Sequence, residues 1–196
     1  PPLRVFRPTC SRPHLLQPPH LGPAQQEHLR RLYESLGKEA SRLELRSAAI
    51  VGANAFALPS GITVVTDELV ELARDDDEIL AVMAHELGHI HYRHIMRTII
   101  QNSATALILA VLIGDLSSIA GLSATIPTVL MEAHYSREFE FEADAFAVQR
   151  LVQMGKDPAA LSRIQQRLSD EHDSGDANPL WQYLSTHPDT DERVEA

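Results

Sequence analysis

Two histidines separated by three residues constrain this chain more than any other feature. They lie in the segment His85-Glu86-Leu87-Gly88-His89, which has the spacing H-E-x-x-H. On an α-helix, residues four apart share one face, so both imidazoles can bind one metal ion. Glu86 lies about 100° around the helix axis from His85, where it can act on a metal-bound water without binding the metal itself. The pattern therefore predicts a zinc site that activates water.

The surrounding sequence favours a helix over this segment. Asp75 and Glu78 have capping-box spacing at its start, and no proline occurs from Ile79 to Gln101. His85 and His89 fall on the side opposite the face expected to pack against the core. That face carries a hydrophobic stripe, namely Leu80, Met83, Leu87 and Ile90. Because the chain is rich in His and Glu, a chance match to the motif is still expected in roughly 4% of sequences of this composition.

Two further histidines follow in the same stretch. On a continuous helix, His94 lies about 180° from His85, and His91 lies about 120° away in the other direction. Neither is then expected to bind the metal. A polar contact in the core or a position on the surface is the expected role of each.

Composition bounds the class of protein. The chain has 196 residues, 44% of them hydrophobic, which is enough for one globular domain with a sizeable core. Its formal net charge of −10, without a basic run, argues against nucleic acid as a partner. The single cysteine, Cys10, excludes an intrachain disulfide. Prolines are concentrated at the start, so we expect residues 1–23 to be extended and poorly ordered and residues 24–196 to form the domain.

The first half of the chain predicts helices mixed with a few strands. A helix is expected over residues 24–45 and a strand near residues 48–51. Residues 54–58 and 62–66 are rich in apolar and β-branched residues and flank Pro59-Ser60-Gly61, which is typical of a β-hairpin.

Capping residues mark the later helices. Thr66 is a candidate cap for a short helix after the hairpin. A long helix is expected over about residues 129–154, where Gly155 is a suitable stop. Asp157-Pro158 can then provide the cap and first position of another helix. The apolar stripe of that helix is Leu161, Ile164 and Leu168.

Residues 103–131 are almost continuously apolar apart from an interruption at Gly114-Asp115. A membrane-spanning helix needs about 20 apolar residues, and neither half reaches that length cleanly. Two buried helices, or a helical hairpin in the core or at an oligomer interface, are the favoured interpretation. A hairpin that contacts a membrane surface is the alternative, and the sequence leaves both open.

A catalytic zinc site usually has three protein ligands and an open position, so a third ligand is needed. Helical angles place Glu140 and Asp144 on one face, and Glu138 and Glu142 on nearly the opposite one. The metal can therefore meet Glu140 or Glu142 but not both. Asp144 could also accept a hydrogen bond from a zinc-bound histidine, whereas Glu138 and Glu142 are more simply solvated charges. Spacing alone does not decide whether Glu140 is a metal ligand or a surface charge.

Four blocks in order along the chain carry a family resemblance. They are Asn54-Ala55-Phe56-Ala57-Leu58-Pro59-Ser60-Gly61, then His85–His89, then Ser136-Arg137 with Glu140 and Ala143-Asp144, then Thr186-His187-Pro188 with Arg193. Together, over about residues 45–196, they resemble the zinc metalloprotease family that includes the CAAX prenyl proteases, HtpX, a mitochondrial inner-membrane protease and the BepA-like periplasmic proteases. Any one block alone would be weak support.

The resemblance implies an α+β, mainly helical gluzincin domain with a small β-hairpin or sheet beside the active-site helix. It implies Glu140 as third ligand to a single zinc ion. It also implies that a strand contacts the polypeptide substrate, and this strand is Asn54, Ala55, Phe56, Ala57 and Leu58. Members are typically membrane-associated or extracytoplasmic, although no signal peptide is recognisable in this sequence.

These assignments predict a metalloendopeptidase that hydrolyses unfolded, damaged or membrane-associated proteins. Zinc would be held by His85, His89 and Glu140, with Glu86 as general base on a zinc-bound water. The tetrahedral oxyanion needs a further donor. His187 is the first candidate for that donor, ahead of Tyr135 and Arg193.

Alternatives remain at two levels. His187 could approach the metal and close the open position, or it could be a turn residue before Pro188. The chain as a whole could be a catalytically silent zinc protein that acts as a chaperone or scaffold for unfolded chains. Glu86 argues against that, because a purely structural site does not need it. A weaker alternative is a membrane-interaction module around residues 103–131 with a fortuitous motif, and an oligomer is left open.

Overall fold

The computed structural model describes residues 16–40, 42–101, 136–173 and 187. Helix α1 (Pro23–Ser35) precedes strand β1 (Arg42–Arg46) and a hairpin of strands β2 (Ala55–Ala57) and β3 (Ile62–Thr66). Helices α2 (Asp67–Leu72), α3 (Asp76–His91), α4 (residues 94–101), α5 (Arg137–Gln153) and α6 (Ala160–Asp173) follow. The expected α+β, mainly helical architecture with a small sheet is confirmed for these residues.

The three strands form one sheet in the order β1-β3-β2. Strand β1 runs parallel to β3, and β2 runs antiparallel to it with Phe56 opposite Val64. The backbone N–H of Leu58 donates to the carbonyl of Ile62 at 2.8 Å and closes the hairpin. The predicted hairpin is therefore confirmed, and β2 lies at the edge of the sheet that the described residues form.

Strand β1 replaces the end of the predicted first helix. The helix expected over residues 24–45 ends at Ser35, and the strand expected at residues 48–51 is a turn in which Val51 N donates to Ala48 O. Both predictions were wrong because the strand lies at residues 42–46, inside the predicted helix. There Leu43 and Leu45 alternate with charged residues, and this period of two buries one face of a strand.

Side-chain caps begin helices α2 and α3 where the sequence placed them. Leu69 N donates to Thr66 Oγ1 at 3.2 Å, and Glu78 N donates to Asp75 Oδ1 at 2.9 Å. Helix α3 then ends earlier than a continuous helix through Gln101 would. Arg93 adopts φ = 56°, a left-handed conformation uncommon for a residue other than glycine, and the chain becomes helical again at residue 94.

The later helices are bounded by a serine cap and a glycine. Phe139 N donates to Ser136 Oγ, so α5 begins at Arg137, and the part of the predicted helix over residues 129–135 lies outside the described residues. Gly155 has φ = 67°, and Lys156 N bonds back to Leu151 O at 2.9 Å, which confirms the predicted stop. The predicted restart is also confirmed, since Ala159 N donates to Asp157 Oδ1. The stripe of α6 is buried as expected at Leu161, Ile164 and Leu168.

Two predicted segments fall largely outside the described residues. Residues 103–131, with the buried-hairpin and membrane interpretations attached to them, lie entirely outside. The proline-rich start is described only from residue 16, where Gln17 pairs with Ser47 in an isolated bridge. Within the described ranges, no helix combines the length and the apolar character needed to cross a bilayer.

Helix α3 lies at the centre of the fold and is buried continuously from Glu78 to His89. Helix α5 crosses it at Gly88. A Cβ added to Gly88 would lie 3.0 Å from Cα of Ala143 and 3.3 Å from Cβ of Phe146, so only glycine permits this approach. The face of α3 that carries His85 and His89 lies opposite the hydrophobic stripe described above. It is nevertheless buried, because α5 covers it.

Candidate metal centre

Four buried side chains converge between α3 and α5. One potential ligand atom from each of His85, His89, Glu140 and His187 lies within 4.8 Å of the others. His85 Nε2 is 3.0 Å from His89 Nε2 and 3.5 Å from Glu140 Oε2, and His89 Nε2 is 3.6 Å from Glu140 Oε1. Zinc bonds of about 2.0–2.2 Å in a tetrahedron place donor atoms about 3.3 Å apart. The donor types and their spacing therefore fit one zinc ion.

Asp144 contacts the far side of the His85 ring. His85 Nδ1 lies 2.8 Å from Asp144 Oδ1, and Gln165 Nε2 donates to the same oxygen at 3.2 Å. A proton on Nδ1 leaves Nε2 as the lone-pair donor that faces the cluster. Glu140 and Asp144 lie one turn apart on α5, so one helix face supplies both a candidate ligand and the group that orients another ligand.

The side chain of His187 enters the same cluster. Its Nδ1 lies 2.9 and 3.0 Å from the two carboxylate oxygens of Glu140 and 3.3 Å from His85 Nε2. Its Nε2 lies 3.4 Å from Glu86 Oε1. His187 is therefore placed at the candidate metal position. The other candidates for the oxyanion donor, Tyr135 and Arg193, lie outside the described residues.

Glu86 is fully buried beside the cluster without belonging to the four-residue group. Burial raises the pKa of its carboxyl, while the positive charge available to His187 and His85 acts in the opposite direction. A carboxylate with a raised pKa is a better proton acceptor at neutral pH than an exposed one. This position and this shift match a general base.

The electrostatics of the cluster favour a cation. Burial opposes protonation of His85, but Asp144 and Glu140 outweigh it and raise the pKa of His85 to about 10. Burial acts to raise the pKa of Glu140, yet His187 and His85 hold it well below the usual range. Burial, together with the charge of His85, lowers the pKa of His89 well below its ordinary value. The site therefore combines a neutral imidazole at His89 with an ionised carboxylate at Glu140, and these are the protonation states in which the two groups can bind a divalent metal.

Residues 23–196 match the protein family described as Peptidase family M48. The chain belongs to this family. It is 34% identical over 135 residues to the mitochondrial metalloendopeptidase OMA1 of Arabidopsis thaliana, an alignment that covers 69% of this chain and 27% of that protein. It is 30% identical over 152 residues to a putative beta-barrel assembly-enhancing protease of Vibrio cholerae, covering 72% and 31%. With OMA1 of Schizosaccharomyces pombe it shares 26% identity over 166 residues, covering 85% and 49%. The chain thus spans between about a quarter and a half of these curated relatives, and the resemblance to this peptidase family is confirmed.

In this M48 chain, the interruption after α3 changes the position of His94. His94 is buried, and its Nδ1 lies 2.9 Å from His89 Nδ1. An angle of about 180° from His85 assumed a continuous helix, and the left-handed turn at Arg93 invalidates that assumption. His91, in contrast, is partly exposed near Glu39, in keeping with a surface role.

Glu142 is also more than the solvated charge that the sequence indicated. Its Oε2 lies 2.8 Å from His94 Nε2 and 3.1 Å from Arg97 Nη1. That interpretation was wrong because it considered α5 alone and not the partner that α4 brings to the opposite side. Glu138, which received the same interpretation, is exposed.

Strand β2 turns alternate backbone groups away from the sheet near the M48 site, and a backbone hydrogen bond from Ala57 acts to lower the pKa of Glu86. Its ladder bonds to β3 use the alternate positions, with Thr66 N bonding Asn54 O and Leu58 N bonding Ile62 O. By the alternation of an antiparallel pair, the N–H and C=O groups of Ala55 and Ala57 point away from β3. The expected substrate strand, residues 54–58, therefore supplies its outward hydrogen-bonding groups from two alanines.

A cavity of about 410 Å³ opens beside His89, between the hairpin turn and the junction of α3 with α4. Its wall is polar and apolar in about equal parts. The apolar part is Leu58, Pro59, Ile90, Ile95 and Met96, and the polar part includes Ser60, His89 and Arg93.

Two contributors to the site escaped the sequence analysis. His94 was expected in a polar core contact or at the surface, and its burial confirms the former, but helical angles gave no sign that it contacts a candidate ligand. Gly88 was treated only as a variable position of the motif, although it sets the distance between α3 and α5. A signal for Gly88 was present, because it is the lone glycine in the stretch from Ile79 to Gln101 and a small residue, Ala143, lies between Glu140 and Asp144.

Proposed function

We propose that this M48 chain is a zinc-dependent endopeptidase in which His85, His89 and Glu140 bind the metal. The observation that carries the proposal is Glu86, a buried carboxylate beside the donor cluster but outside it. A zinc site with only a structural role has no use for such a group, whereas peptide hydrolysis requires a base near the metal. Membership of the peptidase family and similarity to a metalloendopeptidase and to a putative protease support the same conclusion.

Each residue then has a defined task. Zinc held by His85, His89 and Glu140 would supply Lewis-acid chemistry toward a carbonyl and a water molecule. Glu86 accepts a proton from the attacking water and delivers it to the leaving amine. Its raised pKa suits a group that must both take and release a proton. Asp144 keeps His85 oriented through the 2.8 Å contact at Nδ1.

His187 defines the resting state in this proposal. Its nitrogens face Glu140 and Glu86, so both point to protein groups rather than to a place where a substrate oxyanion would develop. As a fourth donor it would fill the coordination position that a catalytic site keeps open. We therefore assign His187 to closure of the site, and catalysis requires its displacement.

The substrate is proposed to be an extended polypeptide that pairs with the outer edge of β2. Backbone groups of Ala55 and Ala57 would form the hydrogen bonds, which places little demand on substrate sequence. The cavity beside His89 would take one side chain of the substrate, whose apolar part would contact Leu58, Ile95 and Met96. These features suit unfolded or damaged proteins. An association with a membrane stays a prediction, supported by the family resemblance.

Cleavage of unfolded casein by the zinc-loaded chain tests the proposal. Glu86→Gln should retain zinc and lose at least a hundredfold in kcat, because general-base catalysis contributes about 10²–10⁴-fold. A chelator should abolish wild-type cleavage, and added zinc should restore it. Unchanged casein cleavage by Glu86→Gln would exclude this mechanism.

The closed arrangement of His187 also favours a second candidate, a silent zinc protein that holds unfolded chains without cutting them. That function predicts zinc binding and casein binding with no cleavage, even after His187 is replaced by Ala. Cleavage of casein by the wild-type chain or by His187→Ala would show that the chain is a peptidase and not a silent zinc protein.

A further inference from the structure

A chain of polar contacts leads from His89 away from the metal cluster. His89 Nδ1 lies 2.9 Å from His94 Nδ1, and His94 Nε2 lies 2.8 Å from Glu142 Oε2. Arg97 Nη1 donates to the same carboxylate oxygen at 3.1 Å. The His94 side chain is completely buried, while those of Glu142 and Arg97 are 36% and 43% exposed. The contacts therefore connect a candidate ligand with a carboxylate at the surface.

His89 and Glu142, at the two ends of this series of contacts, determine which ring nitrogens carry protons. Nε2 of His89 faces the cluster, so a neutral, metal-binding His89 carries its proton on Nδ1 and donates it to His94. Ionised Glu142 can only accept, so His94 must donate to it from Nε2. Both requirements are met by one tautomer of His94, with Nδ1 as acceptor and Nε2 as donor.

We propose that His94 and Glu142 form a relay that holds His89 in its metal-binding tautomer and orientation. His94 is thus a positioning residue, and this inference rests on the proposed zinc binding by His89. The two histidines of the motif differ in this respect. His85 meets the carboxylate of Asp144 directly, whereas His89 reaches that of Glu142 through a second imidazole.

Packing sets the plane of the His94 ring. The ring stacks on Phe139 with a centroid distance of 4.4 Å and an interplanar angle of 5°. The guanidinium carbon of Arg97 lies 4.4 Å from the centroid of Phe139. Since Phe139 directly precedes Glu140 on α5, the relay and the third ligand are held by one stretch of helix. The arrangement is fixed by stacking as well as by hydrogen bonds.

Direct metal binding by His94 does not fit these contacts. It is absent from the group of four donors in the described part of the chain, and its Nδ1 faces the Nδ1 of His89, on the far side of that ring from the cluster. A purely packing role would tolerate any side chain that fills the space. The relay instead requires one acceptor and one donor.

Zinc affinity of the full chain, measured by competition with a chromogenic chelator, tests the relay. His94→Ala should weaken binding about 10- to 100-fold, the usual cost of removing a group that orients a zinc-bound histidine. His94→Gln, which keeps an acceptor and a donor, should recover part of the loss. Glu142→Ala should weaken binding in the wild-type background and cost nothing further in the His94→Ala background, because the two act as a unit.

Cobalt-loaded protein supplies a readout that packing alone does not move. The visible absorption of Co²⁺ reports ligand geometry, so it should change in His94→Ala and return toward wild type in His94→Gln. His91→Ala is the matched histidine control and should leave both measurements unchanged. Unfolding midpoints of the metal-free variants show whether any loss follows from unfolding.

The outcomes separate the relay from the function beneath it. Wild-type affinity and an unchanged cobalt spectrum in His94→Ala would overturn the relay alone, as would fully additive losses in the double variant. If His94→Ala does not fold, the comparison of Glu142→Ala with Glu138→Ala decides, and equal affinities overturn the relay. Failure of the wild-type chain to bind zinc would instead refute the proposed function.

Discussion

Gly88 of α3 lies directly against the backbone of Ala143 of α5, at a distance that leaves no room for a side chain on Gly88. Gly88→Ala should therefore move α5, which also carries Glu140. Helix propensity alone predicts that alanine stabilises a helix interior by about 1 kcal/mol. Overpacking predicts the opposite sign, a loss of about 1–3 kcal/mol in the free energy of unfolding. Denaturant unfolding distinguishes them, and zinc affinity should fall in parallel.

Gly22 is the matched control for that substitution. An added Cβ at Gly22 would meet no atom within 4 Å. Gly22 is the N-cap of α1, where alanine is less favourable than glycine, so Gly22→Ala should cost at most about 1 kcal/mol in the free energy of unfolding and leave zinc affinity intact. A stable, zinc-binding Gly88→Ala protein would show that the helices tolerate a wider separation.

Glu140 and Glu138 lie two residues apart on one helix and differ sharply in environment. Glu140 is completely buried in the cluster, whereas Glu138 is exposed. Glu140→Ala should therefore lower the zinc content of the purified protein severely, because it removes one of three proposed ligands. Glu138→Ala should retain one zinc per chain, as measured by elemental analysis. Equal zinc contents in the two variants would move the third ligand elsewhere.

His187→Ala separates two roles for that histidine. If His187 closes the site, its removal should raise the rate of casein cleavage at saturating zinc while weakening zinc affinity. If it stabilises the oxyanion, removal should lower kcat by about 10²–10³-fold. His28→Ala, at an exposed histidine that contacts Asp76, should leave the cleavage rate unchanged. A large fall in kcat would refute closure.

Proline substitutions test whether the substrate pairs with the outer edge of β2. Ala57→Pro removes an N–H that points away from β3 and that also acts on the carboxylate of Glu86. The sheet should persist while cleavage of casein falls, by about tenfold for the loss of one substrate hydrogen bond worth about 1.4 kcal/mol and further through the change at Glu86. Leu58→Pro removes an N–H that bonds Ile62 within the hairpin, so it should destabilise the fold itself. Thermal unfolding and kcat/KM for casein separate the two effects. Normal cleavage by Ala57→Pro would rule out pairing through that group.

Local patterns were sufficient to predict much of this fold. The caps at Thr66 and Asp75, the hairpin and the stop at Gly155 each depend on a few neighbouring residues, and the structure confirms all four. Strand β1 was missed because a leucine-rich segment after a helix fits either period until the alternation of Leu43 and Leu45 is weighed.

The environment of the site was harder to predict, because it depends on how helices cross. Angles around one axis placed Glu140 and Glu142 on different faces of α5, but they could not show that α4 supplies a partner for Glu142. The position of His94 depends on the backbone conformation of Arg93, a non-glycine residue with positive φ. The sequence carries no clear signal for that conformation.

The four donors of the cluster come from parts of the chain that are far apart: Glu140 and His187 differ by 47 in residue number, and His85 and His187 differ by 102. A metal that binds only the folded chain adds to its stability by mass action, by about 2.7 kcal/mol at a free concentration one hundred times the dissociation constant. Zinc would therefore stabilise the folded arrangement of the regions around His85, Glu140 and His187, in addition to its role in hydrolysis. The persistence of the folded domain would then depend on how much free zinc its surroundings supply.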